Sequence, residues 1–408
     1  MRFVRFLSTL LLILTITGSQ FVTTLASQFI SLESASQIVT IPYRAFVLFI
    51  ALLIILITIK KNVKLDKVNK LLYFYWGLLI LRFIYDIYFR IDISVDSSRI
   101  NQFWLLFIGS TLIPMFAITK SYQYVNLKWV FNGAYFLSIV TGILIINSVE
   151  GYIDIDEIGG QGQRLESNVA MGTIITGYFG LLLLIMSFYS FMISKNIFVK
   201  LFNLSIIVVG ILLLFRSGSR GPIFAAVSIA LFYLIAKRTS PFMTLFTVII
   251  LCLVFSYWDY ILISVSKFAP NLYVRFTREE GLLWDRIPIY NMAIDSFLKN
   301  PLIGHDFAIY SRGIGGMSYA HNIFLDTLMQ LGLIGITIMG YIIVSVLKIT
   351  ANSFKTGNSF VWLSLFLLMK FFMLQLSSAF YLESSFSIII VFMFQQRLID
   401  QENNKTML

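Results

Sequence analysis

The segment from Arg216 to Pro222, which reads Arg-Ser-Gly-Ser-Arg-Gly-Pro, combines residue types suited to binding an anion. Arg216 and Arg220 supply two permanent guanidinium charges, and the glycines between them let a ligand approach the backbone closely. Pro222 suits the first position of a helix, where free N–H groups and the positive dipole end attract anions. With the hydroxyl of Ser219 as a further donor, the segment predicts a phosphate or diphosphate site. The alternative is an ordinary tight turn capped by polar side chains.

A second cationic group lies in the long segment 261–322, which separates two apolar blocks. Its basic residues are Lys267, Arg275, Arg278, Arg286, Lys299 and Arg312. Arg286 precedes the aromatic Tyr290 closely, and such a group of cations in one polar segment indicates an anionic ligand. Contact between these cations and lipid headgroups is the alternative interpretation.

The chain contains 2 histidines, His305 and His321, and both lie in this long segment. The ordinary pKa of histidine is near neutrality, so its ring can accept a proton from a hydroxyl group at working pH. We predict that His321 is the general base, because it adjoins the hydrogen-bonding Asn322 at the mouth of an apolar block. His305 follows Gly304 in a looser stretch. A purely structural histidine is the alternative.

A third polar segment contains Arg164 and Asn168 at the end of an acidic loop. Arg164 is a further candidate for the anion site, with an ion pair to Glu166 or Asp156 as the alternative. Asp154 and Asp156 have the Asp-x-Asp spacing of some metal sites, but two carboxylates alone are a weak metal signature. No phosphate-binding P-loop, dinucleotide fingerprint or zinc-protease motif occurs. We therefore predict neither a metal nor a cofactor.

The elements that must position these residues are membrane helices. Hydrophobic residues make up 58% of the 408 residues and charged residues 12%, against roughly 45–50% and about 25% in soluble domains. The apolar blocks have the length that a helix needs to cross a bilayer, and they lack the alternation of a barrel strand. The predicted fold is an all-α, polytopic transmembrane protein with about 12 spans. The spans are predicted near 6–30, 43–59, 71–89, 103–119, 127–147, 169–193, 197–215, 222–236, 242–260, 323–347, 359–378 and 384–396, with edges uncertain by about 2–4 residues.

The distribution of charge predicts the topology. If the N-terminus is cytoplasmic, every short cytoplasmic loop is basic, so the net charge of +11 reflects membrane orientation rather than nucleic-acid binding. The chain then divides into nine helices at 1–260, an extracytoplasmic loop subdomain at 261–322, and three helices with a cytoplasmic tail at 323–408. The start of the chain resembles a signal peptide, which we interpret as a retained signal anchor, with cleavage as the alternative. Arg82 and Asp86 are predicted to pair on one helix face, and Lys370 is a further charge within a span.

Three of these elements, in this order, resemble the O-antigen polymerase and O-antigen ligase superfamily. They are the Ser-Arg-Gly turn at 219–221, the Arg286 segment leading to Asn-Pro-Leu-Ile-Gly at 300–304, and His321-Asn322 followed by Leu-Gly-Leu-Ile-Gly at 331–335. The resemblance covers roughly 160–345. His305 stands where the superfamily often has a small or apolar residue, and Asp306 stands where it often has glycine. Tyr290 stands where an aromatic residue, often tryptophan, is usual.

The resemblance implies an inverting, metal-independent glycosyl transfer from an undecaprenyl-diphosphate-linked glycan at the outer face of the bacterial inner membrane. Arg220 and Arg286 would hold the diphosphate and His321 would activate the acceptor hydroxyl, with Asn322, Tyr290 and Asn168 in support. The implied partners are lipid-linked oligosaccharides as donor and acceptor, membrane lipids and a chain-length regulator, but no nucleic acid.

Two other functions remain open. An O-antigen ligase would use the same donor but transfer the finished chain to lipid A core; we favour the polymerase, because polymerases are the more numerous and divergent members. A lipid-linked oligosaccharide flippase would also have about 12 spans, but it should show internal repeats and polar residues near the bilayer midplane. No convincing repeat is present.

Overall fold

The computed structural model describes residues 1–29, 32–93, 95, 97–147, 173–237, 260, 286–310 and 317–406. In these residues the regular structure is helical, apart from two short antiparallel strands of two residues each, β1 (Ile309–Tyr310) and β2 (Met317–Ser318). The described helices are α1 (Arg2–Ala26), α2 (Leu32–Thr58), α3 (Lys67–Phe89), α4 (Ser97–Trp104, the π-helical Leu105–Leu112 and Ile113–Ser121), α5 (Leu127–Asn147), α6 (Thr173–Ile193), α7 (Ile197–Arg216), α8 (Arg220–Lys237), α9 (Ile287–Lys299), α10 (Ile323–Thr356), α11 (Val361–Leu376) and α12 (Ser384–Thr406). The protein is an all-α polytopic membrane protein, as its composition predicts.

Nine helices in the described part of the chain are long and apolar enough to cross a membrane, namely α1 to α8 and α10. The helix α11 is apolar but shorter. All ten of these helices, α1 to α8, α10 and α11, coincide with predicted spans. The predicted span at 242–260 lies outside the described residues except for Tyr260, so the total of about 12 spans stays a prediction.

Several helices extend beyond their predicted ends, and α2 and α10 show why. The helix α2 begins at Leu32 rather than near 43, because it continues through Pro42, which removes one hydrogen bond without ending the helix. The helix α10 runs to Thr356 rather than to 347 and includes Lys348 and Lys355. Lysine is a good helix former, so the helix persists where the apolar pattern has ended.

An aromatic cluster ties the long segment 261–322 to the helix bundle. Phe307 of that segment is fully buried, and its ring centre lies 5.1 Å from that of Phe83 and 5.0 Å from that of Tyr381. Phe103 and Phe107 of α4 complete the cluster at 5.9 and 5.8 Å from Phe307. Edge-to-face pairs at such distances stabilise packing beyond the area they bury. The cluster therefore fixes this part of the segment against α3 and α4.

Lys61, just after α2, and Lys120, in the last turn of α4, meet at one end of the bundle. Lys61 donates to the hydroxyl of Tyr124 (2.9 Å), and Lys120 donates to the carbonyl of Lys61 (2.5 Å). This clustering agrees with the predicted cytoplasmic side.

The predicted topology can be tested by cysteine labelling in a Cys252→Ser background. We expect an impermeant thiol reagent added to intact spheroplasts to label Lys299→Cys and to spare Lys64→Cys, because the two positions lie on opposite sides under the positive-inside rule. Permeabilised cells serve as the control, in which both variants should react. Labelling of position 64 but not 299 in intact spheroplasts would reverse the orientation.

Candidate functional site

The turn between α7 and α8 is closed by Gly218. Its φ of +60° lies in the left-handed region, and its N–H donates to the carbonyl of Phe215 (3.1 Å), as in a helix that ends on glycine. The hydroxyl of Ser217 donates to Leu214 and accepts from the N–H of Ser219. The next helix already begins at Arg220, so the prediction that Pro222 starts it is wrong by two residues. Proline is tolerated there because the first-turn N–H groups have no intrahelical partner.

This turn packs against α6 and the end of α11 through glycines. A Cβ atom added to Gly177 would lie 2.6 Å from the Ser217 hydroxyl oxygen. A Cβ on Gly221 would lie 3.3 Å from the Tyr178 hydroxyl and 4.0 Å from the Ser377 hydroxyl. Arg220 is half-buried in this arrangement, whereas Arg216 is exposed at the last residue of α7. The packing directs the start of α8 towards Tyr178 and Ser377.

His321 lies in the short connection between β2 and α10, and Asn322 caps the helix. The Asn322 carboxamide oxygen accepts from the N–H groups of Phe324 (3.0 Å) and Leu325 (3.2 Å), and its nitrogen donates to the carbonyl of Gln375 (3.4 Å). His321 has φ +56° and is the one non-glycine residue with left-handed backbone in the described part of the chain. A histidine keeps this unfavourable conformation only when its surroundings impose it. The helix start therefore delivers the imidazole to the end of α11.

The hydrogen bonding of His321 determines its tautomer. Its Nδ1 lies 3.2 Å from the carbonyl oxygen of Ser377, which can only accept, so Nδ1 carries the proton. The lone pair of Nε2 is then available as a base. The ring of Tyr319 packs 4.3 Å away. Burial, with a contribution from the positive charge of Arg286, lowers the pKa of His321 below its ordinary value of 6.5 despite the bond to Ser377. The ring is therefore neutral at neutral pH.

Arg286 stands immediately before α9 and joins the same group of side chains. It is half-buried, and its charge acts on the His321 ring and on the hydroxyls of Tyr178 and Tyr319. The Tyr178 hydroxyl also interacts with Ser377, which accepts from His321. The turn at 219–221 and His321 therefore meet at one wall formed by Tyr178 and Ser377, and Arg286 is near enough for its charge to act on Tyr178 and His321.

A buried ion pair that the sequence did not reveal lies beside this wall. Lys370 donates to Glu383 at 2.8 Å, with 7% and 12% of the two side chains exposed, and the Ser378 hydroxyl donates to the other carboxylate oxygen at 3.2 Å. The charge of Glu383 acts on Tyr178 and Tyr319. The available signal was that Glu383 is the acidic residue between the last two apolar blocks.

The predicted pair between Arg82 and Asp86 is confirmed at 3.7 Å. It belongs to a wider network in which Arg82 donates to four backbone carbonyls, those of Ile303, Gly304, His305 and Gln330. Asp86 accepts from the N–H of Phe307 (2.5 Å) and the hydroxyl of Tyr310 (3.1 Å). The network therefore holds the segment 303–310 against α3.

His305 and Asp306, at which the chain departs from the superfamily pattern, are part of this network. Asp306 accepts from Arg90 (2.5 Å) and pairs with Nδ1 of His305 (2.9 Å). Although burial would raise the pKa of Asp306, its hydrogen bonds with Ser296, Arg90 and His305 hold that pKa below its ordinary value. The carboxylate therefore stays charged. Through Arg90, the two residues connect the segment 303–310 to the end of α3.

The stretches 300–304 and 331–335 bind each other. Gly332 interrupts α10 with φ +60° and ψ −150°. The N–H groups that this break frees, on Leu333 and Ile334, donate to the carbonyls of Pro301 (2.8 Å) and Leu302 (3.2 Å). On the other side, the Met329 carbonyl accepts from the N–H of His305 (2.9 Å). The break is therefore closed by hydrogen bonds on both sides and is not a free hinge.

We expect Gly332→Ala and Gly304→Ala to destabilise the protein strongly. Both glycines have positive φ, which disfavours alanine by about 1–2 kcal/mol, and each added Cβ would lie 2.4 Å from backbone, at Pro301 and Gln330 respectively. Gly340→Ala on the same helix is the control, because nothing lies within 4 Å of its Cβ position. Thermal denaturation in detergent measures the difference. Equal stability of all three variants would contradict the docking of the two stretches.

The remaining predicted site residues fall into two groups. Tyr290 packs against the small cluster of Ala293, Ala320 and Met329, so its supporting role stays a prediction. Arg164 and Asn168 lie outside the described residues, as do Asp154 and Asp156.

Comparison with known proteins identifies one family. No curated protein matches this chain. The segment 205–340, which contains Arg216, Arg220, Arg286 and His321, matches the family described as O-antigen ligase. The match covers less than half of the chain, gives no support to a flippase, and applies to ligases and polymerases alike. It supports a membrane enzyme of the O-antigen polymerase and O-antigen ligase superfamily.

Proposed function

We propose that this protein is a glycosyltransferase that joins undecaprenyl-diphosphate-linked repeat units into a surface polysaccharide. The observation that carries the proposal is the meeting of a neutral imidazole, whose Nε2 is available, with Arg286 and the Arg220 turn at the wall of Tyr178 and Ser377. A base and two guanidinium groups are what this transfer requires, because diphosphate is already a good leaving group.

In the proposed reaction, Nε2 of His321 removes the proton from the acceptor hydroxyl as its oxygen attacks the anomeric carbon of the donor. The bond between that carbon and the diphosphate oxygen breaks from the opposite face, so the configuration inverts. The bonding electrons leave with undecaprenyl diphosphate, and Arg220 and Arg286 stabilise the charge that grows there. Arginine presents two parallel N–H donors to a phosphate, which allows the step without a metal ion.

The proposed location is the outer face of the bacterial inner membrane. The site residues lie at the helix ends opposite to those beside the short loops that carry the lysines, and such loops are typically cytoplasmic. The donor and the acceptor are then both lipid-linked oligosaccharides. Membrane lipids surround the bundle, and a chain-length regulator is a further proposed partner.

The test uses the purified full-length protein in lipid nanodiscs with lipid-linked oligosaccharides extracted from the producing cell. We expect a ladder of polymer lengths and release of undecaprenyl diphosphate, both lost in His321→Ala. Transfer that occurs only after lipid A core is added would identify a ligase instead. Movement of the lipid-linked sugar across sealed vesicles, without any new glycosidic bond, would identify a flippase.

A further inference from the structure

A buried carboxylate lies directly behind the backbone of His321. Asp326 is in the first turn of α10, and 1% of it is exposed. Its Oδ1 accepts from the N–H of Ala320 at 2.7 Å, and the backbone N–H of Asn322 is near enough to interact with the same carboxyl group. Asp326 therefore acts on the backbone on both sides of His321.

These interactions act on the residue whose backbone is strained. Holding His321 at φ +56° requires interactions that outweigh the preference of a non-glycine residue for negative φ. The bond from the Ala320 N–H to Oδ1 is short, at 2.7 Å, and it is buried. Asp326 is therefore well suited to impose this conformation.

Helix capping does not explain Asp326. The cap of α10 is supplied by Asn322, whose side chain already accepts from Phe324 and Leu325. The second oxygen of Asp326, Oδ2, is buried and has no hydrogen-bond partner among the described residues. An unpaired buried carboxylate oxygen is unfavourable for stability, which points to a role in the site rather than in folding.

We propose that Asp326 is a positioning residue that locks the backbone of His321 and thereby keeps its Nδ1 on the Ser377 carbonyl and its Nε2 free. The catalytic part of this inference rests on the proposed function. Its structural content, the dependence of the His321 tautomer on Asp326, is independent of any reaction.

The structural content can be tested by NMR, because the chain contains only 2 histidines. Protein labelled with ¹⁵N-histidine in nanodiscs should show two Nδ1-protonated rings, because Nδ1 of His305 faces the Asp306 carboxylate, and His305→Gln leaves only the signal of His321. We expect Asp326→Asn and Asp326→Ala to convert His321 to a mixture of tautomers and to shift its titration. Thr350→Val is the matched control, since Thr350 is buried on the same helix with an unpaired hydroxyl and should leave the spectrum unchanged.

The catalytic content is tested by kinetics on the same variants. We expect kcat to fall by roughly 10–100-fold in Asp326→Ala and less in the isosteric Asp326→Asn, with KM for the donor nearly unchanged, as for a misplaced catalytic group. In a His321→Ala background, Asp326→Ala should cause no further loss.

Each outcome has a definite meaning. An unchanged His321 spectrum and unchanged kcat in Asp326→Ala would overturn the proposal, as would loss of the fold in both Asp326 variants while Thr350→Val folds. If the tautomer changes but His321→Ala remains fully active, the positioning role stands and the proposed base is wrong.

Discussion

Replacement of His321 by alanine is expected to lower the rate of polymer formation by roughly 10²–10⁴-fold, the usual contribution of a general base. The imidazole is held by Ser377 with Nε2 free, and no other histidine lies at the Tyr178 and Ser377 wall in the described part of the chain. Insertion and folding should persist, because Asn322 caps α10 without the ring. The measurement is single-turnover formation of the glycosidic bond in nanodiscs, with protein amounts matched.

The same residue sets the acidic limb of the pH profile. Only the neutral ring accepts a proton, so activity falls as the pH drops through the pKa of His321. Because burial and the charge of Arg286 lower that pKa, the fall should occur below 6.5. Arg286→Gln removes the positive charge, and the limb of its residual activity should therefore move to higher pH.

His305→Ala is the matched control and should be nearly silent. The Arg82 and Arg90 bonds at this position go to the backbone carbonyl, which the substitution keeps, and the imidazole itself pairs only with Asp306 among the described residues. If the two histidine variants behave the other way round, the base assignment is wrong. If neither matters while chemistry limits the rate, the acidic residues Asp154, Asp156, Asp285 and Glu383 become the candidates.

The second large effect is expected at the two arginines of the site. Arg220→Lys and Arg286→Lys keep the charge, but an ammonium group cannot present two parallel N–H donors to a diphosphate. Each substitution should raise the activation free energy that corresponds to kcat/KM by about 1.5–3 kcal/mol, the scale of one charged hydrogen bond. The same change at Arg397, which is exposed in the second half of α12, is the control and should have no effect.

Alanine variants sharpen this test of the arginines. If Arg220→Ala retains full activity at normal protein levels, Arg220 does not hold the diphosphate. The same outcome at Arg286 would mean that Arg286 does not hold the diphosphate.

The helices and the chemical residue types were predictable because they depend on local sequence. Apolar blocks define the spans, and the i, i+4 spacing predicts the pair of Arg82 and Asp86. The bonds from Arg82 to carbonyls near residue 304 were not predictable, because they join parts of the chain more than 200 residues apart. For the same reason, Glu383 and Asp326 carry no local signal of their place beside the site. The start of α8 was misplaced because Gly218, rather than Pro222, closes the turn.

The closed break at Gly332 connects the site to the thickness of the bilayer. At roughly 1.5 Å per residue, the apolar part of α10 from Ile323 to Leu347 is about 37 Å long, longer than a hydrocarbon layer of about 30 Å. A helix that exceeds the layer tilts, and the tilt changes as the layer becomes thinner or thicker. Since the break is bonded on both sides, the short part that follows His321 moves with the long part. We therefore expect the tilt of α10, and with it the position of the His321 imidazole, to depend on acyl-chain length.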